Sequence, residues 1–550
     1  MSPTFSVPLL KRIMGQLPLL PEVYESTRPG SPPSGGYRLP ELAGALPLWK
    51  DAVSRAGRLA QPGTAKRVLL LGYLQWWVEN TAALSLLLSR LGHQVTLAHL
   101  PYRHWWTPRA EFDVRRQRAY LRRLLAQLEP LVTAVDLLGV SPASLPAAYG
   151  AEIRSQSLLD VQYTLQREDV EPDANGEAGD LYRLRMQRNR MAARRLQTLI
   201  EPKPFDVIVV PNGSILEFGT AFRLAKSLEI PVTTYDFGEQ RDRVWLAQGQ
   251  EVMRLKTDAL WSARGGIPLT PGEEADLEEL YQARRGGEVW STFARQWQAA
   301  ESQGAQQARL SLGLDPDRPV VLLCTNVVGD SLALDRQVFT SGMAEWLERT
   351  VRFFADRPQA QLVVRVHPGE LLGAGHPSVE IVKASVPEQP AHVKVVPPDS
   401  KINTYDLIEL AHLGLVYTTT VGMEMAMSGV PVIVAGDAHY RDKGFTMDPE
   451  SQTAFVEMLQ NRLQEPPDQR LPEAQRQLAR RYAYRFFFEY PFAYPWHVIH
   501  FWKDMQERPF LDLMTDGGLD PYLDTLDALT GDPIDWSKRG SVLKSIRVAS

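Results

Sequence analysis

Cysteine is nearly absent from this sequence: Cys324 stands alone among 550 residues. An intrachain disulfide is therefore excluded, which fits a reducing compartment, and the setting of Cys324 in the apolar run VVLLCTN reads as a small core residue rather than a nucleophile. Long hydrophobic runs are missing as well. No stretch reaches the roughly 18 apolar residues a membrane-spanning helix needs, and the opening MSPTFSVPLLKRIMGQLPLLPEV mixes proline and charge with short apolar pieces, unlike a secretory leader. The nearest approach to a span, YAYRFFFEYPFAYPWHVIHFW, is interrupted by Arg485, Glu489, Pro491 and Pro495, and reads as a docking surface or a peripheral contact. Charge of one sign is lacking too: a net charge of −5 gives no broad grip on nucleic acid. Neither of the two strand series described below has a G-x-G-x-x-G after its first strand, which argues against a dinucleotide, and no repeat of solenoid period is present. No convincing Asp-x-Asp closes a strand, so neither a metal nor any other cofactor is expected.

What is present is an ordinary globular composition, 44% hydrophobic and 23% charged, in a chain too long for one core. Apolar runs alternate with helical segments in two series, the signature of parallel α/β sheets. Residues 1–62, rich in proline and glycine, read as an irregular arm. A first Rossmann-like domain is expected over 63–270, from KRVLLLGYL and HQVTLAHL through two Arg-rich helical segments near 109–129 and 180–200 to FDVIVVPNG and PVTTYDFG. Polar residues 271–312 read as a helical linker. A second Rossmann-like domain over 313–465 contains PVVLLCTN, QLVVRVHPGE, HVKVVPP and LVYTTTVGMEMAMSGVPVIVAG, and 466–550 forms a helical and aromatic C-terminal tail. Two Rossmann-like domains facing a cleft is the economical architecture.

The stretch from Leu415 to Phe445 carries most of the chemistry, since it reads as strand, turn, helix, strand and basic loop. Thr418, Thr419 and Thr420 stand where the chain enters a helix, and the unpaired N–H groups of a helix start can hold a phosphate without a metal. Gly422 permits close approach, Gly429 can end the helix and Pro431 opens the next strand. Ligands in open α/β sheets bind at the carboxyl ends of strands. QLVVRVHPGE ends there in Arg365, His367 and Pro368, and DAHYRDKGF supplies His439, Tyr440, Arg441 and Lys443, of which the cations can neutralise phosphate. The strand-end carboxylates Asp236 and Glu239, with Glu217 and Asp330 behind them, are candidates for a general base or a nucleophile. Trp76, Trp77, Trp105 and Trp106 follow the first two strands and offer indole faces for stacking on an acceptor sugar, against the alternative of burial between helices. The Arg-rich helices read as solvated faces rather than as a polyanion or membrane site.

From approximately residue 205 to 500 the chain resembles the bacterial capsule polysaccharide biosynthesis proteins, a family that includes Kdo transferases and has the GT-B glycosyltransferase fold. The likeness rests on VVRVHPGE, VYTTTVGMEMAMSGVPVIVAG, HYRDKGFT and the YDFG that follows a first-half strand. It implies that His367, Pro368, Thr419 and Thr420 surround the nucleotide phosphate and that Glu424 lies near the ribose. It further implies a cytoplasmic glycosyltransferase of surface polysaccharide assembly that moves a sugar from a CMP- or UDP-linked donor to a glycan or lipid-linked glycan, without metal, with peripheral association at the inner face of the plasma membrane as an option. Two rivals stay open: a CDP-polyol phosphotransferase or nucleotide-sugar epimerase on the same fold, and a non-catalytic nucleotide- or glycan-binding scaffold.

Overall fold

The computed structural model describes residues 8–28, 30–59, 65–173, 175–202, 204–286, 300–372 and 377–540. The chain divides into two compact units. The first comprises Met1–Val161, Glu171–Leu255 and Phe492–Ile534, and the second Gln162–Val170, Lys256–Pro491 and Asp535–Ser550.

In the first unit the strands are β1 (Arg67–Gly72), β2 (Gln94–His99), β3 (Val132–Asp136), β4 (Val207–Pro211), β5 (Val232–Phe237) and β6 (Arg243–Gln248). In the second they are β7 (Val320–Cys324), β8 (Gln361–Arg365), β9 (Val393–Val396), β10 (Leu413–Val416) and β11 (Val432–Val434). A last strand, β12 (Phe492–Ala493), returns to the first sheet. The first sheet runs β12-β6-β5-β4-β1-β2-β3, parallel from β3 to β5, with β6 antiparallel to β5 and β12 antiparallel to β6. The second runs β11-β10-β7-β8-β9 and is parallel throughout. Both are Rossmann-like and wound the same way: the chain builds outward from the first strand on one side, then crosses to the other. The switch of direction lies between β1 and β4 in the first sheet and between β7 and β10 in the second. Each sheet by itself is Rossmann-like, as the two strand series in the sequence lead one to expect.

The central strands are apolar without alternation because helices cover both faces. All residues of β4, β7, β8, β10 and β11 are buried. The helix Met343–Ala355 shows how the second core closes: Met343, Trp346, Leu347, Thr350, Val351 and Phe354 recur at helical spacing and are buried, while Arg349 and Arg352 pair outside with Glu345 and Glu348. Glu168 caps that helix, accepting from the N–H groups of Met343 and Ala344 at 3.2 and 2.8 Å.

Several expectations are corrected. The described part of 1–62 is not an irregular arm, since helices span Leu9–Gln16, Leu20–Thr27 and Pro40–Ala56; residues 1–7, 29 and 60–62 lie outside the described residues. Prolines stand at the starts of the last two, where no helical N–H is lost, so the proline count misled. The 271–312 segment contains the helices Pro271–Gly286 and Ala305–Leu312, while 287–299 lie outside the described residues. The 466–550 segment is not a separate tail: 492–534 complete the first unit through β12, and 541–550 lie outside the described residues. The aromatic block is interior rather than a surface. Phe486 stacks on His439 at 4.0 Å, Tyr490 on Trp536 at 5.8 Å, and Trp496 on Phe510 at 5.8 Å.

Candidate functional site

The carboxyl ends of β7 and β10 form the switch point of the second sheet, and the polar residues that follow these strands are tied together across it. Asn326, two residues past β7, accepts the N–H of Thr418 through Oδ1 at 3.1 Å. Thr325 accepts the N–H of His367 through Oγ1 at 3.0 Å, joining the ends of β7 and β8. The imidazole of His367 accepts the N–H of Gly369 at Nδ1, 2.9 Å away, so its neutral form carries the proton on Nε2. The residue is half-buried, and the burial of its ring, aided by the Arg365 charge, pulls its pKa down to about 4. At neutral pH it is an uncharged donor. Pro368 opens the short 3-10 turn Pro368–Leu372, as the sequence leads one to expect of a proline at a strand end.

The threonine turn differs from the expected cap. Thr420 is the N-cap of the helix Val421–Met427 but is already helical (φ −58°, ψ −21°), and its side chain makes no capping bond. Among the described residues, the backbone N–H groups of Thr419 and Thr420 have no hydrogen-bond acceptor. The Thr418 hydroxyl is spent on the carbonyl of Leu332, at 3.0 Å. Behind the turn, the fully buried Tyr440 donates to the carbonyl of Thr419 at 2.6 Å. A Cβ on residue 422 would stand 2.4 Å from that hydroxyl and 2.8 Å from Val416 Cγ2, so Gly422 is what lets tyrosine reach the turn. Gly422→Ala is expected to cost roughly 1–3 kcal/mol, read as a lowered Tm, with partial recovery in Gly422→Ala/Tyr440→Phe, which removes the clashing oxygen.

Most of the other proposed donor residues are committed to protein partners. Arg365 bonds the carbonyl of Pro397 and the hydroxyl of Thr404, and burial lowers its pKa. Arg441 is buried, bonding the carbonyls of Val434 and Pro449 and the carboxylate of Glu450, so it braces its own loop. Lys443 pairs with Asp258. Glu424 accepts from Tyr405 at 2.9 Å and pairs with Arg284 at 2.8 Å. His439 sits between Phe486 and Tyr482, with Nδ1 2.8 Å from the Tyr482 hydroxyl; burial, with the Lys443 charge, brings its pKa down to about 3. Cys324 is buried and its thiol pushed up to about 12, as a core cysteine should be. Asp330 also lies in this unit, accepting from the Ser331 hydroxyl at 3.2 Å.

The first unit places the remaining carboxylates at its own switch point. Asn212, just past β4, donates through Nδ2 to Asp236 Oδ2 at 2.8 Å, and Asp236 Oδ1 takes the N–H of Phe237 at 2.7 Å. The turn there is strained: Asn212, Gly213 and Leu216 have φ of 59°, 80° and 58°, and Leu74 past β1 has 67°. Glu239 is buried nearby in sequence, three residues beyond Asp236. Glu217 is enclosed completely and paired with Arg185 at 2.7 Å, which suits a structural anion better than a base. Arg185 also bonds Asp160 at 3.0 Å, Asn189 at 2.9 Å and the carbonyl of Trp105 at 3.3 Å; Asp160 in turn takes the N–H of Leu216 at 2.6 Å and so clamps the strained turn. Burial alone would pull the guanidinium's pKa down, but Glu217 and Asp160 hold it above its ordinary value. Arg188 is likewise buried, bonding the carbonyls of His104 and Thr107, so this helix is no solvated basic face throughout.

Of the tryptophans, Trp77 is core, edge-on to Phe218 and Tyr235. Trp76 is exposed, and Trp105 and Trp106 are half-buried in a T-shaped pair 4.4 Å apart. Thr325 and Asn326, which bridge the second switch point, escaped the sequence reading. Two polar residues directly after an apolar run were the signal available. Among the described residues, no group of three or more His, Cys, Asp or Glu could hold a metal ion, and no helix is long and apolar enough to cross a membrane.

Comparison with known proteins adds a family. No curated protein sequence matches the chain. Among solved structures it is similar to the Thermosulfurimonas dismutans KpsC beta Kdo 2,4 transferase, with 17% identity, covering 53% of this chain and 82% of that one, at a TM-score of 0.32. A beta Kdo 2,7 transferase, also KpsC of that organism, shows 13% identity, coverages of 55% and 82%, and a TM-score of 0.30. A UDP-GlcNAc 2-epimerase from Neisseria meningitidis, bound to UDP-GlcNAc, shows 12% identity, coverages of 75% and 94%, and a TM-score of 0.25. Residues 281–492 match the family described as Capsule polysaccharide biosynthesis protein, a segment that contains β7 to β11 and the threonine turn. Over that segment, rather than over the whole chain, the protein is similar to the capsule polysaccharide biosynthesis proteins.

Proposed function

We propose that the protein is a glycosyltransferase of surface polysaccharide assembly, and that the phosphate of a CMP- or UDP-linked sugar binds at the β7–β10 switch point. The observation that carries this is the pair of adjacent N–H groups at Thr419 and Thr420, without acceptors among the described residues, at the carboxyl end of a parallel strand inside the segment that matches the family. His367 supplies a further neutral donor from the neighbouring strand end. In the reaction, the acceptor hydroxyl gives its proton to a carboxylate as its oxygen bonds the anomeric carbon. The bond from that carbon to the phosphate oxygen breaks, and the nucleotide leaves with the electron pair. Amide donors aimed at the phosphate stabilise that developing charge without a metal. Asp236 is the proposed base; Asn212 and the Phe237 N–H fix its orientation.

The test separates binding from chemistry. Thr420→Pro deletes one N–H where φ already suits proline, and is expected to weaken CMP or UDP binding about tenfold in calorimetry, the worth of one charge-assisted bond. His367→Ala should weaken it comparably. Asp236→Asn should bind nucleotide normally and lose donor turnover. Unaltered affinity in both binding variants, with folding intact, would remove the phosphate site. Phosphorus appearing in the product would point instead to a phosphotransferase, and nucleotide binding without turnover of any donor would point to a scaffold.

A further inference from the structure

The N-terminal helices are mounted with their polar side inward. Leu9, Leu10, Ile13 and Leu17 fall within one sector of about 100° at helical spacing. A stripe like this normally faces a core. Here Leu9 and Leu10 are 70% and 68% exposed, and Leu19 and Val23 of the following helix extend the apolar surface at 69% and 54%.

The opposite side is held by charge. Lys11 pairs with Asp113 at 2.8 Å, and Arg115 forks onto Glu22 at 2.8 and 2.6 Å while also bonding the carbonyls of Gly15 and Leu17. The buried Glu25 takes Arg38 and Arg116. Gly15 permits the contact itself, since a Cβ there would lie 2.5 Å from the Phe112 nitrogen. The ion pairs therefore fix which face of the hairpin points outward, and that face is the apolar one. Segments 8–28 and 111–125, which pack together, carry eight Lys and Arg against four Asp and Glu. Arg12, Arg28, Arg122 and Arg123 are exposed among them.

From this arrangement we infer that the hairpin Leu9–Thr27 is a membrane-surface anchor, which sinks its leucines into the headgroup and acyl boundary of an anionic phospholipid bilayer while the surrounding arginines meet the lipid phosphates. An outward leucine stripe on segments with an excess of positive charge, Arg12 and Arg122 exposed among it and Arg123 only partly neutralised by Glu25 at 3.5 Å, fits that occupant better than a neutral protein groove. The surface is separate from the aromatic block, which is interior.

The full chain is to be sedimented with phosphatidylcholine vesicles and with vesicles in which about a third of the lipid is phosphatidylglycerol. It is expected to pellet with the anionic vesicles, and to be released by salt. Leu9→Gln/Leu10→Gln/Ile13→Gln/Leu17→Gln should cut the bound fraction about tenfold with the Tm unchanged, because these side chains are exposed. In Leu10→Trp the emission should shift to the blue only when anionic vesicles are added. Absence of wild-type binding, or equal binding by the quadruple variant, overturns the inference. So does self-association in buffer that the quadruple variant abolishes without any vesicle binding, which would make a second copy the occupant.

Discussion

Arg185→Leu is expected to destabilise the first unit by roughly 3–5 kcal/mol, the cost of stripping one partner from a buried ion network. In a unit of this size that lowers its Tm by ~10 °C in calorimetry. The wild-type guanidinium serves two carboxylates, Asp160 and Glu217, and all three side chains are wholly removed from solvent. Without it two anions remain in the interior; Gln156, Asn189 and the Leu216 N–H still donate to Asp160, but all three are neutral. The variant should carry a signature that simple loss of packing lacks. Arg185→Leu/Glu217→Gln should recover part of the loss at neutral pH by leaving only Asp160 charged. An Arg185→Leu protein with wild-type Tm would show that the network contributes nothing to holding the Asn212–Leu216 turn.

The second large effect is acid sensitivity that is greater in the second unit than in the first. His367 and His439 have folded pKa values near 4 and 3, below the ordinary value of 6.5. In the unfolded chain both rings take up a proton as pH drops through about 6.5, whereas in the fold they do not until far lower. Stability from these rings is thus complete above about 6.5 and lost on acidification, at up to roughly 1.4 kcal/mol per pH unit for each ring. Glu168 and Asp448, in the same unit, oppose this because burial raises their pKa values, but their shifts are the smaller ones. In the first unit the terms partly offset, although burial also lowers the pKa values of His93 and His104 there. His99 is lowered to about 4 by burial, while burial raises Glu79 to about 7, and the two act in opposite directions over the same window. Unfolding followed from about pH 7 to pH 4 should therefore show the second unit's transition falling first, by ~2–3 kcal/mol per unit at its steepest. His439→Phe should halve that slope. The ring's Nε2 has no partner in the fold, so a proton added there would be buried unsatisfied. Parallel acid loss in both units would contradict the assignment.

What the sequence disclosed, and what it hid, divides along physical lines. The β10–turn–helix–β11 unit was legible because a short apolar run, the glycines at 422 and 429 and Pro431 punctuate the chain locally. β3 was not, since its edge position leaves only Val132 buried and the remaining residues too polar to announce a strand. The aromatic block was misread because side-chain polarity does not say which neighbours arrive from distant sequence, here Trp536, Phe510 and His439. Carboxylates posed the same difficulty. Glu217 and Asp236 look alike in a loop, yet one meets Arg185, 32 positions earlier, and the other meets an asparagine amide. Likewise Arg441 looked like a phosphate ligand until its three acceptors, two carbonyls and Glu450, were known.

The return of β12 to the first sheet also reverses the order in which a ribosome could finish the two sheets. Every strand of the second sheet has been synthesised once Val434 is made, whereas the first sheet, whose opening strand begins at Arg67, still waits for Phe492. The amino-terminal sheet is therefore the last to close, and nascent chains spend the intervening translation with the β6 edge unpaired.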